Sequence, residues 1–157
     1  MMTYCYHGSP IGRLLVAADE EGLRHLHLDE ADPWERPKQW KEDSAPFEHL
    51  RRQLDEYFAG RRRSFDARLA PRGTEFQRAV WTALQAIPFG RTECYADLAG
   101  RIGRPRAVRA VGAANGANPI AILIPCHRVI GRDGTLTGYA GGLGRKEALL
   151  RLEGWRP

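Results

Sequence analysis

Cys126 stands between Pro125 and His127, directly after the apolar run 120–124. The thiolate is the reactive form of cysteine, so a neighbouring base or cation decides whether such a residue attacks anything. His127 is adjacent in sequence, but adjacent side chains often point apart, and a buried inert cysteine is the commoner fate of a Cys-His pair. Glu147 offers a third group. On the terminal helix Leu143, Glu147 and Leu150 fall on one face, where a carboxylate is partly buried and needs a partner such as histidine. The competing reading is a surface pair with Arg151 at i,i+4. Leu149 and Leu152 lie elsewhere round this helix and leave its buried face open.

A second group of residues suits a large, flat anionic surface. On a helix running from Pro105 to about Asn115, Ala107, Val108, Val111 and Ala114 cluster on one side. Arg109 points the other way, beside Gly112 and Ala113, with Arg106 nearby. Small residues let a helix backbone approach a nucleic-acid groove. They equally let it pack closely on another helix with its arginines merely solvated, and both readings stay open at this point.

The elements that must position these residues can be read along the chain. Residues 8–12 and 19–22 are turns flanking a strand at 14–18, and a second strand follows at 23–28. In it Leu23, His25 and His27 alternate with Arg24, Leu26 and Leu28. Residues 29–45 are charged and proline-containing and read as a loop. A helix over 47–58 ends at Gly60. The arginine-rich stretch to Gly73 is a linker, and Thr74-x-x-Gln77 is a capping box that opens a helix with Phe76, Val80, Leu84 and Ile87 on its core face. A short helix over 95–101 and the helix after Pro105, joined through Gly103, resemble a helix-turn-helix. Residues 120–124 read as a short strand, 138–142 as a Gly-rich loop, and 143–153 as a last helix stopped by Gly154.

Composition bounds the function classes. The 157 residues are 43% apolar and 27% charged, enough for a real core. No apolar run approaches the ~18 residues of a membrane span, and residues 1–12 hold no signal-peptide segment. Three scattered cysteines make neither a disulfide framework nor a zinc ribbon, and a reducing, cytoplasmic setting fits. The net charge of +5 is uneven: residues 1–66 carry 10 basic and 13 acidic side chains, residues 67–157 carry 14 and 6. A polyanion partner for the second part is plausible, as is a plain solvated surface.

Taken together, Asn118-Pro119 and the run Ile-Leu-Ile-Pro-Cys-His-Arg-Val-Ile-Gly over 122–131 resemble the active-site signature of the O6-alkylguanine-DNA alkyltransferases. The resemblance extends over residues 74–154, through Tyr95, the Arg-rich segment 104–112, the loop 138–142 and Lys146-Glu147. It touches residues 8–28 as well. It implies an α+β fold, with a small ribonuclease-H-like sheet-plus-helix domain over 1–66, a linker over 67–73, and a helical, winged-helix-like domain over 74–157. It implies DNA repair, in which an O6-alkylated guanine is flipped out of double-stranded DNA and its alkyl group moves irreversibly to a cysteine. O4-alkylthymine is a further substrate on this reading.

By position the resemblance makes Cys126 the alkyl acceptor. His127 takes its proton through a water, and Glu147 orients His127. Tyr95 bonds the guanine leaving group. The carbonyls of Cys126 and Val129 accept from the exocyclic amine, and the N–H of Ala140, beside Tyr139, contacts O6. Asn118 braces the turn between the recognition helix and the site. Arg109 is the finger that replaces the extruded base. Arg106, Ala110, Gly112, Ala113 and Arg128 belong to the DNA-binding surface, which enters the minor groove. No organic cofactor is implied, and the protein is expected to be a monomer. No zinc is expected, because Asp19 and Arg24 stand where some relatives carry ligands and Cys5 is out of register. The rivals are a non-catalytic lesion binder, a Cys-His-Glu hydrolase and a winged-helix regulator.

Overall fold

The computed structural model describes residues 1–29 and 35–156. Strand β1 (Thr3–His7) pairs antiparallel with β2 (Leu14–Asp19), and β2 with β3 (Gly22–Leu28). A two-residue β4 (Lys41–Glu42) runs parallel to β1, giving the order β3-β2-β1-β4. The sequence reading has no strand at 3–7 and treats 29–45 as a loop. Residues 30–34 of that loop lie outside the described residues. Cys5, Val16 and Leu26 face the main core, while Tyr4, Leu15 and Ala17 form a smaller cluster under Met2, Tyr6 and Trp40.

Plain alternation along β3 puts Leu23 on the face of His25 and His27. The pairing shifts between Ala17 and Ala18, which oppose His25 and Leu23, so Arg24 is an extra, unopposed residue. The bulge turns Leu23 into the main core and lays Arg24 against Asp19 at 2.9 Å, with both side chains buried. Gly22 follows from the same corner. Its φ is +140°, and a Cβ there would lie 2.6 Å from the Arg68 carbonyl oxygen.

Helix α1 (Glu48–Phe58) buries Leu50, Gln53, Leu54 and Tyr57 beneath the sheet. The stretch leading away from it is tied down: the Leu23 N–H donates to Arg68 O at 2.8 Å and the Ala70 N–H to Leu23 O at 2.9 Å. Helix α2 (Glu75–Gln85) opens on the reciprocal Thr74/Gln77 cap. Helices α3 (Tyr95–Arg101) and α4 (Val108–Gly116) follow, joined by a turn through Gly103. The Trp81 indole N–H locks α2 to α4 by donating to Ala114 O at 2.8 Å. Strand β5 (Glu93–Cys94) runs parallel to β6 (Val129–Ile130), and α5 (Leu143–Leu152) closes the chain.

Two boundaries differ from the sequence reading. Residues 104–107 form a turn, so α4 begins at Val108, which is 36% exposed and not on the packed side. The apolar run 120–124 is not a strand. Only Ile120 bridges a neighbour, Leu26 of β3, and the chain then coils back, with the Ile124 N–H donating to Ile120 O at 3.0 Å. Ile122 sits at φ +72°, a strained setting for a β-branched residue. Ile120, Ile122 and Ile124 are nonetheless buried, because the coil is wedged between the sheet and α2–α4. A short apolar run signals burial without signalling strand.

Candidate active site

The coil 117–125 delivers Cys126 to a single turn of 3-10 helix, Cys126–Arg128, whose three side chains are all buried. Asn118 holds the coil from inside: its Nδ2 donates to Ile124 O at 2.8 Å and its Oδ1 accepts from the Ile120 N–H at 3.0 Å. Asn115, on the last turn of α4, reaches the Cys126 carbonyl at 3.5 Å. Burial pushes the Cys126 thiol up, against the opposing pull of the Asn118 side chain and the Lys146 charge. At rest Cys126 is therefore a thiol and needs a base.

His127 is fully buried, and its Nε2 lies 2.8 Å from Glu153 Oε2. Burial depresses the imidazole against the pull of Glu153, so the ring is neutral. Its other nitrogen, Nδ1, has no hydrogen-bond partner among the described residues. With Nε2–H donated to the carboxylate, Nδ1 carries a lone pair, which is the arrangement of a general base. Burial alone would raise the Glu153 carboxyl. The hydrogen bonds and charges of His127 and Arg128 outweigh it and carry the group down to about 2.

The structure corrects two sequence assignments here. Glu147 does not orient His127: its side chain is 44% exposed and pairs with Arg151 at 3.2 Å, the i,i+4 surface alternative. Leu143, its supposed companion on a buried face, is itself exposed. The buried face of α5 instead runs through Lys146, Leu149, Leu150 and Glu153, at i, i+3, i+4 and i+7. Arg128 is not part of an outer DNA surface either. Its Nε and Nη2 grip Glu153 Oε1 and Oε2 at 2.8 and 3.0 Å, and its Nη1 donates to Ile87 O at 2.6 Å. It is a buried clamp.

The sequence reading quotes Lys146 beside Glu147 but gives it no role. Its ammonium is buried and donates to the carbonyls of Val129 and Thr137. Burial lowers it to about 8. It ties α5 to β6 and to the loop that carries Tyr139 and Ala140, and it places a cation near the thiol.

Cys126 lines a narrow cavity of about 30 Å³ with Leu28, Asn115, Asn118 and residues 138–141. The cavity shares Asn115, Gly116 and the 138–140 wall with an open cleft of about 620 Å³, bordered by Tyr95, Gly112, Gly131 and Thr137. The volume suits a small aromatic ligand. The Tyr95 hydroxyl, at the rim, accepts from Thr137 Oγ1 at 3.1 Å. A larger cleft of about 700 Å³ lies on another side, between Arg63, Arg78, Trp81 and Phe89, and Cys126 takes no part in it. Helix α4 borders the 620 Å³ cleft: Val108 and Gly112 line it, while Arg106, Arg109, Ala110 and Ala113 are exposed around it.

Comparison with known proteins gives the arrangement its relatives. Residues 75–155 match the DNA binding domain of 6-O-methylguanine DNA methyltransferase, and residues 2–71 match its ribonuclease-like domain. A methylated-DNA–protein-cysteine methyltransferase of Methanosarcina acetivorans is 54% identical over 154 residues, covering 98% of this chain and 99% of the relative. The crystal structure of Mycobacterium tuberculosis O6-methylguanine methyltransferase superposes with a TM-score of 0.90 at 49% identity, covering 98% of this chain and 93% of that one. Mycobacterium tuberculosis OGT in complex with DNA gives 0.91 at 49%, over 96% and 92%. The chain belongs to the 6-O-methylguanine DNA methyltransferase family.

Proposed function

We propose that the protein repairs double-stranded DNA by moving the alkyl group of a flipped-out O6-alkylguanine, and of O4-alkylthymine, to Cys126 Sγ. The observation that carries this reading is the fully buried His127, next in the chain to the buried Cys126, held by Glu153 through Nε2 and with Nδ1 unpartnered among the described residues. The thiol proton passes to His127 Nδ1 by way of a water. The thiolate attacks the alkyl carbon, the S–C bond forms as the C–O6 bond breaks, and O6 becomes a carbonyl oxygen. The Tyr95 hydroxyl supplies a proton or hydrogen bond to the departing base. The Cys126 and Val129 carbonyls take the exocyclic amine, and the Ala140 N–H meets O6. Lys146 and Asn118 ease the ionisation of Cys126.

On this reading Arg109 occupies the gap left by the base. Arg106 meets phosphate, and Ala110, Gly112 and Ala113 let α4 approach the minor groove. Residues 74–157 carry the chemistry and the DNA surface, and residues 1–66 frame them. The protein acts as a monomer in the cytoplasm. Among the described residues no helix is long and apolar enough to cross a membrane.

A thioether at Cys126 is a poor leaving group and offers no acyl carbon to water, so each molecule reacts once. Limiting protein incubated with excess O6-methylguanine DNA should gain one methyl group, confined to the Cys126 peptide by mass spectrometry. Cys126→Ser should still bind DNA and gain none. Continued turnover, or methyl on Cys5 or Cys94, would overturn the assignment.

A further inference from the structure

Glu153 receives a donor that the alkyl-transfer reading does not require. Tyr57 lies on α1, 96 residues away in the chain, yet its hydroxyl donates to Glu153 Oε2 at 2.5 Å with both groups buried. Oε2 thereby accepts from His127 Nε2, Arg128 Nη2 and Tyr57, while Oε1 accepts from Arg128 Nε. The ring is wedged by Phe58, Phe65 and Phe89, with centroids 5.2, 5.5 and 6.3 Å away. The hydroxyl is thus held by packing on the first half of the chain and aimed at the carboxylate of the second.

Resting on the function proposed above, we infer that Tyr57 is a positioning residue: from outside the alkyl-acceptor half it fixes Glu153 and sets how strongly that carboxylate draws on His127. A carboxylate that accepts one more hydrogen bond is a weaker base. It therefore supports a positive charge on His127 less, and the imidazole stays neutral to a lower pH. The hydroxyl cannot lose its proton in competition, because burial and the Glu153 charge both push its ionisation far above the ordinary tyrosine value. The other charged or titratable groups around this cluster are Arg128, Lys146, Cys126 and Tyr139, and Tyr57→Phe leaves all of them in place.

The test is the pH profile of single-turnover alkylation of Cys126 by free O6-benzylguanine, followed by mass spectrometry on the full chain. Tyr57→Phe keeps the ring and removes the donor, so the acid limb should move up by about half to one pH unit, with the loss of rate confined to the pH range of that limb. Site-specific 3-fluorotyrosine at position 57 is a stronger donor of nearly the same shape and should move the limb down. Phe65→Leu loosens the same packing without touching the hydrogen bond; it should lower the urea midpoint and leave the limb in place. A Tyr57→Phe profile that coincides with wild type, or a Phe65→Leu profile that shifts as far, overturns the inference. If Tyr57→Phe fails to fold, the fluorotyrosine arm decides alone, and an unmoved limb there overturns it too. Wild-type protein that takes no benzyl group on Cys126 would defeat the proposed function, a result distinct from each of these.

Discussion

Glu153→Gln and Glu147→Gln separate the two carboxylates of the α5 segment, and the structure sets the expected contrast. Glutamine at 153 keeps the shape of the side chain but exchanges one acceptor oxygen for an NH₂. That group then faces Arg128 or the donors His127 and Tyr57, which now meet a donor. The Arg128 guanidinium stays buried with no counter-charge, a situation worth about 3–5 kcal/mol of destabilisation. Against a total stability of about 5–15 kcal/mol the variant folds, but with a narrow margin. His127 also loses the group that holds it in the Nε2–H tautomer, so alkylation should slow by at least about 100-fold. Glu147→Gln removes one exposed i,i+4 pair, worth about 0.3–0.5 kcal/mol, and should leave the rate unchanged. The assay is single-turnover reaction with O6-benzylguanine at low temperature, with urea titration of each variant to confirm that it is folded. An equal slowing of both variants, or an unaffected Glu153→Gln rate, would show that the carboxylate beside His127 has no part in the reaction.

Three further outcomes follow from the same geometry. Arg109→Ala should impair repair of duplex DNA more than reaction with free base, since free base needs no flipping; equal losses would remove the finger role. Gly141→Ala would place a Cβ 2.1 Å from Leu28 Cδ1 and 2.9 Å from the Tyr139 ring. It should therefore destabilise by about 1–3 kcal/mol and slow benzyl transfer more than methyl transfer. Leu28→Ala in the same chain removes the closer of the two clashes and should recover part of the lost benzyl-transfer rate relative to Leu28→Ala alone, and no recovery would mean that the contact does not shape the loop. Acid stability should fall in two stages. His25, half-buried beside His27 and lowered to about 4, stays neutral in the fold while the unfolded chain takes up a proton, so stability drops between pH 6.5 and 4. Glu153, held at about 2, contributes on the order of 3 kcal/mol above its unfolded value near 4.5, and this is lost as pH falls toward 2. The fall in urea midpoint should become shallower in the first window for His25→Gln, with the buried neutral His127 supplying the remainder, and shallower in the second for Glu153→Gln.

What the sequence disclosed, and what it hid, has a physical pattern. The capped α2, the α3–α4 pair, the β2–β3 hairpin and the position of Cys126 rest on local signals: a capping box, turn glycines, a run of motif residues. Glu147 draws attention in the sequence because it shares a helical face with Leu143 and Leu150, and Leu143 reads as a core residue. Yet Leu143 opens α5 directly after Gly142 at φ +92°, and the first turn of that helix projects into solvent. The i, i+3, i+4, i+7 series through Lys146 and Glu153 carries a charge at both ends, so hydropathy alone gives it no weight. Arg128 falls to the DNA-binding surface in the sequence because its true partner, Glu153, lies 25 residues away and no periodicity links the two. Strand β1 escaped because both of its faces are covered, which erases the polar-apolar alternation.

Beyond the Arg128–Glu153 clamp, a set of the hidden contacts joins the first half of the chain to the second at the site. Leu26 exchanges backbone hydrogen bonds with the coil before Cys126, its N–H donating to Pro119 O and its carbonyl accepting from Ala121. Leu28 abuts Gly141 in the loop beside the thiol. Arg145 of α5 donates to Ile11 O at 2.7 Å, and Tyr57 donates to Glu153. The coil, the loop and the carboxylate that together present Cys126 and His127 are thus each fastened to the sheet or to α1. A buried thiol raised by desolvation reacts only if its base stays in register with it, and loops of this length do not hold such a register unaided. On the function proposed above, the sheet and α1, which line little of the cleft themselves, serve the alkyl transfer through the backbone and the carboxylate they hold still.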